Sequence, residues 1–407
     1  MKISVIASSY PRYRGDGIAP FVKSISEALH HRGHHVEVVA PYDIEVKQDP
    51  KAKILVHRFR YVWPKKLHVM GHARSLNADV KLKPITLLLL PLYIIAATIK
   101  LIKVSKNMGA EVIHDHWVIP NGVAAALASR FLKIPFIISL HGSDIFVADK
   151  NFLFRWVAKW VFSRASYVTA CSQELLERAK KINPNINIEL LAWGADPDIF
   201  KPINNRAAIR RKYGWGEDEI IVAALGRLVY KKGFDKLISI VPDLLLESNN
   251  FRVVIGGSGP LEQELTELVE KLKVTGHVSF PGQILWHEVP EFLGAADIFV
   301  LPSQRDRAGN LDGLPTVLLE AMSCGLPCIA SDIGGVRLVI QDHKNGFIID
   351  QDDRHNFIKI LKELLINKSY QRQVGGLARQ SVLEKYNWTK VAIEFEYLFR
   401  KSIMSEK

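Results

Sequence analysis

The chain has 407 residues, 48% of them hydrophobic and 24% charged, with 26 Gly, 19 Pro and three Cys. Those proportions exclude a wholly disordered chain, a collagen and a long coiled coil, and the length predicts two or three domains. The net charge is +12, and the first half carries it: residues 1–193 hold 27 Lys and Arg against 14 Asp and Glu, while residues 194–407 hold 27 against 28. A partner of the first half is therefore expected to be anionic or to sit at an anionic surface. Three Cys build no disulfide framework, and Cys324 and Cys328 lack the spacing and partners of a zinc site, so a reducing compartment is expected.

Residues 1–7 read as a first strand, because the apolar run is too short for a signal peptide and polar residues follow at once. Residues 19–32 predict a helix stopped by Gly33, and 36–40 the next strand. The apolar run at 85–99 is shorter than the ~20 residues that span a bilayer, and Pro91 interrupts it, so no membrane-spanning segment is predicted. Strands follow at 111–114, 136–140, 167–170 and 188–191, with a helix at 122–132. A polar, turn-rich stretch at 193–205 marks a junction. The pattern then restarts with strand 220–225, helix 234–246, strand 251–256, helix 260–272, strand 278–280 and helix 289–295. Strands at 298–301, 327–330 and 346–349 and a last helix around 388–403 complete it. Such alternation predicts an α/β chain of two doubly wound, Rossmann-like halves facing across a cleft.

The first strand runs into a long turn, Ser8-Ser-Tyr10-Pro-Arg12-Tyr-Arg-Gly-Asp-Gly17, whose glycines come too late for a dinucleotide fingerprint. Gly17 is either a plain loop residue or a place where N–H groups at a helix start approach a phosphate. In His114-Asp-His116-Trp117 two His share a strand face. No third metal ligand is evident, so a structural or cleft-lining role is expected and no metal is assigned. Residues 137–140 deliver His141 and Asp144 to the carboxyl end of a strand, where such sheets bind ligands, although Asp144 would also serve as a helix N-cap. Arg227 and Lys232 offer a fork and a point charge on a loop ahead of a helix: a diphosphate grip, or two solvated cations. Gly256-Gly-Ser-Gly259 is a turn compatible with a nucleotide. The most informative segment is Asp312-Gly313-Leu314-Pro315-Thr316-Val317-Leu-Leu-Glu320. Pro315 stands where a helix begins, so the N–H groups of Thr316 and Val317 point toward any bound phosphate. Asp312 and Glu320 suit sugar hydroxyls, because each carboxylate oxygen accepts two hydrogen bonds.

Together these segments resemble the GT-B glycosyltransferases, specifically the retaining family 4 (glycosyl transferases group 1). The likeness covers nearly the whole chain in order, and also takes in Arg32-Gly-His-His and the turn ending in Gly282. It implies an acceptor-binding domain at 1–193, a nucleotide-sugar-binding domain at 194–385, and a C-terminal helix at 386–407 packing back on the first. It implies that Arg227 and Lys232 hold the donor diphosphate, with backbone N–H groups of Gly17, Thr316 and Val317. Glu320 would bind the ribose, residues near Gly282 the base, and Gly313, Leu314 and Pro315 would complete the donor loop. Asp312 and His141 would contact the donor sugar, making His141, Arg227, Lys232 and Asp312 the catalytic set. Tyr10, Arg12, His116 and Asp144 fall on the acceptor side. The family's first carboxylate is usually Glu, and the shorter reach of Asp312 bears on sugar specificity.

The implied reaction moves a sugar from a UDP- or GDP-linked donor to a hydroxyl of a glycan or lipid-linked acceptor, with retained configuration, in polysaccharide or glycolipid synthesis. Neither cofactor nor metal is expected, because two cations and a helix start stabilise the departing diphosphate. The competing readings are a dinucleotide-dependent oxidoreductase, weakened by the missing early glycines, and a nucleic-acid-binding protein, suggested by a pI near 9.4. No nucleic-acid partner is assigned, because the basic residues accompany an intact donor-site pattern. A cytoplasmic enzyme, peripheral on the inner membrane face, is expected from residues 51–83. They carry nine Lys and Arg, among them Lys65, Lys66, Arg74, Lys81 and Lys83, against one acid, Asp79, with Phe59, Tyr61 and Trp63 interleaved. Residues 85–99 would either embed as an amphipathic helix or form a buried core helix.

Overall fold

A strand such as Ile220–Leu225 is buried at every position, so both of its faces must be covered. Parallel sheets flanked by helices meet that condition, and the chain builds two of them. The computed structural model describes residues 1–47, 49–72, 76–77, 81–82, 84–306 and 309–405. It divides into one unit of Met1–Ala192 with Trp388–Lys407 and another of Trp193–Asn387.

The first unit runs β1 (Lys2–Ala7), α1 (Pro20–His31), β2 (His35–Pro41), β3 (Leu55–Phe59), a small ribbon of β4 (Leu76–Asn77) and β5 (Lys81–Leu82), and α2 (Pro84–Met108). It continues with β6 (Val112–His116), α3 (Asn121–Leu132), β7 (Phe136–Leu140), α4 (Ser143–Lys150), α5 (Phe152–Phe162), β8 (Tyr167–Ala170), α6 (Gln173–Ile182) and β9 (Ile188–Leu190). Its main sheet has the order β3-β2-β1-β6-β7-β8-β9, parallel throughout.

The second unit runs α7 (Arg206–Lys212), β10 (Ile220–Leu225), α8 (Phe234–Ser239), α9 (Val241–Leu245), β11 (Phe251–Gly256), α10 (Glu262–Lys271), β12 (Val278–Ser279) and α11 (Val289–Gly294). Then come β13 (Ile298–Leu301), α12 (Thr316–Ser323), β14 (Cys328–Ser331), α13 (Val336–Val339), β15 (Phe347–Ile349), α14 (Arg354–Ile366) and α15 (Lys368–Glu384). Its sheet has the order β12-β11-β10-β13-β14-β15, again parallel. Strand order reverses between β1 and β6 in one sheet and between β10 and β13 in the other. Carboxyl-end loops diverge at such points and leave a crevice for a ligand.

The last helix, α16 (Trp388–Ser405), packs on α1 and β6 of the first unit. Phe395 and Phe399 are buried there, with ring centroids 4.6 and 5.4 Å from that of His114. At the rim Glu396 accepts hydrogen bonds from Arg400 (2.8 Å) and Arg32 (2.6 Å), which together hold its carboxyl down at about 2.

Three sequence expectations need correction. Helix 234–246 is two helices, because Pro242 lacks the N–H that would bond back to Ile238. Residues 85–99 belong to the 25-residue α2, which runs through Pro91; its stretch Ile85–Met108 is, by length and composition, long and apolar enough to cross a membrane. One stripe of α2 (Leu89, Tyr93, Ala97, Leu101, Val104) is nevertheless buried, and the helix packs on α3 and on β1 to β3. The Tyr93 hydroxyl donates to Asn121 Oδ1 at 3.0 Å. Third, Phe59 and Tyr61 are buried against Tyr93, with ring centroids 5.1 and 5.3 Å from it, so only Trp63 of the three interleaved aromatics is exposed. Arg74, Asp79 and Lys83 lie outside the described residues, as does the side chain of Lys81.

Phe395→Ala is expected to destabilise the first unit by about 3–5 kcal/mol, the range for deleting a buried aromatic ring. Tyr397→Ala, on the exposed side of α16, should stay within about 0.5 kcal/mol. Urea unfolding of both variants, followed by amide exchange in α16, checks the contrast.

Candidate active site

In the second unit the loops after β10, β11 and β12 are stitched together by their backbones. Gly226 N–H donates to the Gly256 carbonyl (3.0 Å), Leu228 N–H to Ser258 (2.9 Å), and Gly257 N–H to Gly282 (2.8 Å). The approach requires glycine: Gly257 has φ +138°, and a Cβ there would collide with the Gly226 carbonyl. The β10 loop carries Arg227, which is exposed, and then Lys231 and Lys232. Gln304, just past β13, locks this loop from the other side of the switch point. Its backbone N–H donates to the Lys231 carbonyl and its side-chain amide to the Tyr230 carbonyl, both at 2.8 Å.

Both lysines converge on Asp312. Lys232 Nζ lies 2.6 Å from Asp312 Oδ2, and Lys231 Nζ lies 3.0 Å from Oδ1. Burial alone would raise the Asp312 carboxyl, but the two ammonium groups outweigh it and hold the acid well below the usual carboxylate range. The Asp312-Gly313 backbone rests on the turn after β14. Gly335 N–H donates to the Gly313 carbonyl (2.6 Å), and Gly334, at φ +60°, sits where a Cβ would strike the carbonyls of Asp312 and Gly313.

Leu314 is buried and anchors the loop, and Pro315 leads into α12 in extended backbone. No side chain caps α12, and its first internal bond is Leu318 N–H to the Pro315 carbonyl (3.1 Å). The N–H groups of Thr316 and Val317 thus precede the hydrogen-bonded ladder, at the positive end of the helix. One turn on, Glu320 has its carboxyl pushed up to about 7 by burial, against the opposing hydrogen bond of Thr316.

The first unit gathers neutral rings instead of charges. His116 ends β6 and His141 follows β7, with His116 Nδ1 and His141 Nε2 3.0 Å apart. Trp117 and Phe21 flank His141, at ring-centroid distances of 4.4 and 4.8 Å. Burial drives the imidazoles of His116 and His141 well below their ordinary range, and nearby His114, itself lowered to about 3 by burial, adds to the effect. All three are uncharged at neutral pH. His114 bonds Ser139 (2.9 Å), which bonds Thr169 (2.9 Å), so it holds strands together and faces α16. Asp144 accepts from the backbone N–H of Val118 (3.0 Å) and of Gly142 (3.1 Å) and thereby pins the loops after β6 and β7.

Of the remaining acceptor-side residues, Tyr10 is buried, and Arg12 gives its guanidinium to Asp16 (2.7 Å), Asp43 (3.9 Å) and Glu45. Gly17 is exposed, with open space where a Cβ would stand. The fold thus brings together Lys232, Asp312 and the segment leading into α12 in one unit, with Arg227 exposed on the Lys232 loop, and His116, His141 and Asp144 in the other. Among the described residues no group of three or more His, Cys, Asp or Glu is placed to hold a metal ion. Lys231, Gln304 and Gly334 were not singled out from the sequence. A second Lys beside Lys232 was a usable signal for Lys231, whereas Gln304 and Gly334 act through contacts across 74 and more than 20 residues of chain.

The raised Glu320 carboxyl makes stability depend on pH. In the unfolded chain it ionises near 4.5 and in the folded chain near 7, so the unfolded state loses its proton first and stability falls as pH rises from about 4.5 to 7. Glu320→Gln is expected to melt above the parent at pH 8 and to lose that advantage towards pH 4.5. Thermal denaturation across this range reads the crossover.

Residues 15–199 match the model of Glycosyltransferase Family 4, and residues 205–381 that of Glycosyl transferases group 1. N-acetyl-alpha-D-glucosaminyl L-malate synthase of Bacillus anthracis is 24% identical over 410 residues, covering all of this chain and 99% of that protein. A GDP-mannose-dependent alpha-(1-6)-phosphatidylinositol monomannoside mannosyltransferase of Mycolicibacterium smegmatis is 30% identical over 309 residues, 74% of this chain and 79% of that protein. The Anabaena protein HepE, solved in complex with UDP and glucose, superposes with a TM-score of 0.74 at 18% identity, over 98% of this chain and all of that one. Neither the oxidoreductase nor the nucleic-acid reading is favoured by these matches. With two parallel sheets built as in GT-B enzymes and family matches across both units, the chain belongs to the family 4 glycosyltransferases.

Proposed function

We propose that the protein is a retaining, metal-independent glycosyltransferase that moves a sugar from a UDP- or GDP-linked donor to a hydroxyl of a glycan or lipid-linked acceptor. It works without a cofactor, in the cytoplasm, at a membrane surface. The observation that carries this reading is the meeting of Lys231 and Lys232 with Asp312 at the switch point of the second sheet, four residues ahead of α12. A departing diphosphate gains negative charge, and Lys232, Arg227 and the start of α12 stabilise it where it forms. When the donor binds, Lys232 turns from Asp312 to a phosphate oxygen, and the carboxylate accepts a sugar hydroxyl. Glu320 takes the ribose hydroxyls and residues at Gly282 the base. In the first unit His141, steadied by His116, meets the donor sugar, and Gly17 N–H a phosphate. The acceptor oxygen attacks the anomeric carbon from the face the diphosphate leaves, the sugar–phosphate bond breaks, and the acceptor proton passes to a phosphate oxygen. The names of the relatives support both the donor class and a membrane-borne acceptor: one uses GDP-mannose on a phosphatidylinositol mannoside, and a structural neighbour holds UDP and glucose.

A screen of UDP-, GDP- and ADP-sugars for slow donor hydrolysis and thermal protection tests the reading; a true donor at ~100 times its dissociation constant adds about 2.7 kcal/mol. Lys232→Ala should lower kcat by about 10²–10³, the cost of one lost electrostatic contact at a leaving group, while Glu320→Ala should act mainly on donor KM. Near-parental kinetics in both would sink the assignment. Activity should persist in excess EDTA; loss with chelator and return with Mn²⁺ would overturn the metal-independent mechanism. Ribose hydroxyls favour the ionised form of Glu320, so donor affinity should rise with pH through about 7 in the parent and stay flat in Glu320→Gln.

A further inference from the structure

The outward stripe of α2 has a polarity that its buried stripe does not explain. Residues 85, 88, 92, 95, 99, 103 and 106 follow one another at three- and four-residue steps and so lie on one side of the helix. The first five are Ile85, Leu88, Leu92, Ile95 and Ile99, all exposed, Leu88 by 79% and Ile99 by 63%. The last two are Lys103 and Lys106, also exposed. The same stripe therefore passes from aliphatic to basic along the helix.

The neighbouring helices continue the surface. α2 packs on α3, and α3 on α5. α3 is rich in alanine and presents Leu127 and Phe131, whereas α5 exposes Phe152, Leu153 and Trp156, at 87%, 62% and 61%. These three helices contain no Asp or Glu, and they carry six Lys and Arg: Lys100, Lys103, Lys106, Arg130, Arg155 and Lys159. Arg155 reaches Asp149 of α4 at 3.7 Å.

We propose that the outer surface of α2, α3 and α5 docks on an anionic lipid surface, the aliphatic and aromatic side chains entering the headgroup boundary and the lysines meeting lipid phosphates. The charge pattern selects this occupant. In a symmetric pair of this chain the same patch would face itself, cation against cation, with no acid on these helices to answer it. A spanning arrangement is disfavoured by the inner stripe, since Tyr93 and Leu101 would have to leave the sheet. Exposed aliphatic side chains at the centre of the face suit a lipid boundary better than a nucleic-acid backbone. The inference rests on the lipid-linked reading of the acceptor and deepens it: of the two segments that the sequence offered, it sets aside residues 51–83, where two of three aromatics are buried, and adds the faces of α3 and α5 to that of α2.

The test is sedimentation of the full chain with vesicles of phosphatidylcholine alone and of phosphatidylcholine with phosphatidylglycerol, at low and high salt. The parent should bind the anionic vesicles and bind them less at high salt. Lys103→Glu with Lys106→Glu should cost about tenfold or more on anionic vesicles only, the loss expected from reversing two cations near such a surface. Leu92→Gln with Ile95→Gln should cost a similar factor at both salts, and Trp156→Ala a smaller one. All should keep the parental melting temperature and the parental rate of donor hydrolysis. Equal binding to both vesicle types, binding unchanged in the variants, or a parent that self-associates through this face would overturn the proposal. Donor hydrolysis is read separately, so its absence would count against the transferase reading and leave the docking result standing.

Discussion

The carboxylate of Asp312, held between the ammonium groups of Lys231 and Lys232, is the contact on which the arrangement of the second unit's switch-point loops depends. It joins the loop after β10 to the segment that leads into α12, two pieces of chain separated by 80 residues. The single carboxylate answers two cations, so its removal would leave two ammonium groups side by side with no counter-charge between them. The backbone around it is fixed accordingly: Gln304 holds the lysine loop, and Gly334 and Gly335 hold the carboxylate loop. Lysines already paired within the protein are held in place, and the pairing fixes where their charge sits.

The two units solve the problem of polar groups at sheet ends in opposite ways. The second concentrates charge and screens it by pairing. The first lets burial strip the charge from His114, His116 and His141, so that imidazoles meet as neutral donors and acceptors. This arrangement relies on α16, whose Phe395 and Phe399 cover His114 and whose Glu396 is clamped by Arg32 and Arg400. The last residues of the chain thereby help to order a strand end more than 270 residues earlier.

α2 shows how one sequence feature serves two demands. Its inner stripe closes the core against the sheet, and the Tyr93–Asn121 hydrogen bond ties it to α3. Its outer stripe has no such duty, yet it is as apolar as the inner one for four turns. Burial in the core therefore accounts for only half of the helix.

The sequence alone determined the α/β alternation, since strands buried on both faces must be continuous apolar runs. Strands 136–140, 220–225, 251–256 and 298–301 are legible for that reason to the residue. It also singled out the two segments that the fold brings together, because Gly226–Lys232 and Asp312–Glu320 carry turn, charge and helix-start chemistry in unbroken stretches. Tertiary structure decided what depends on distant partners. That Lys231 and Lys232 both meet Asp312, and that Asp144 pins two loops, turns on atoms far apart in the chain. Aromatic interleaving in residues 51–83 suggested an interfacial patch, but β3 alternates its faces and carries Phe59 inward, where Tyr61 joins it against Tyr93. α2 continues past Lys100, because a cation ends an apolar run in sequence while in a helix it merely falls on another face. Local pattern is set by neighbours along the chain, whereas ionisation, burial and pairing are set by neighbours in space.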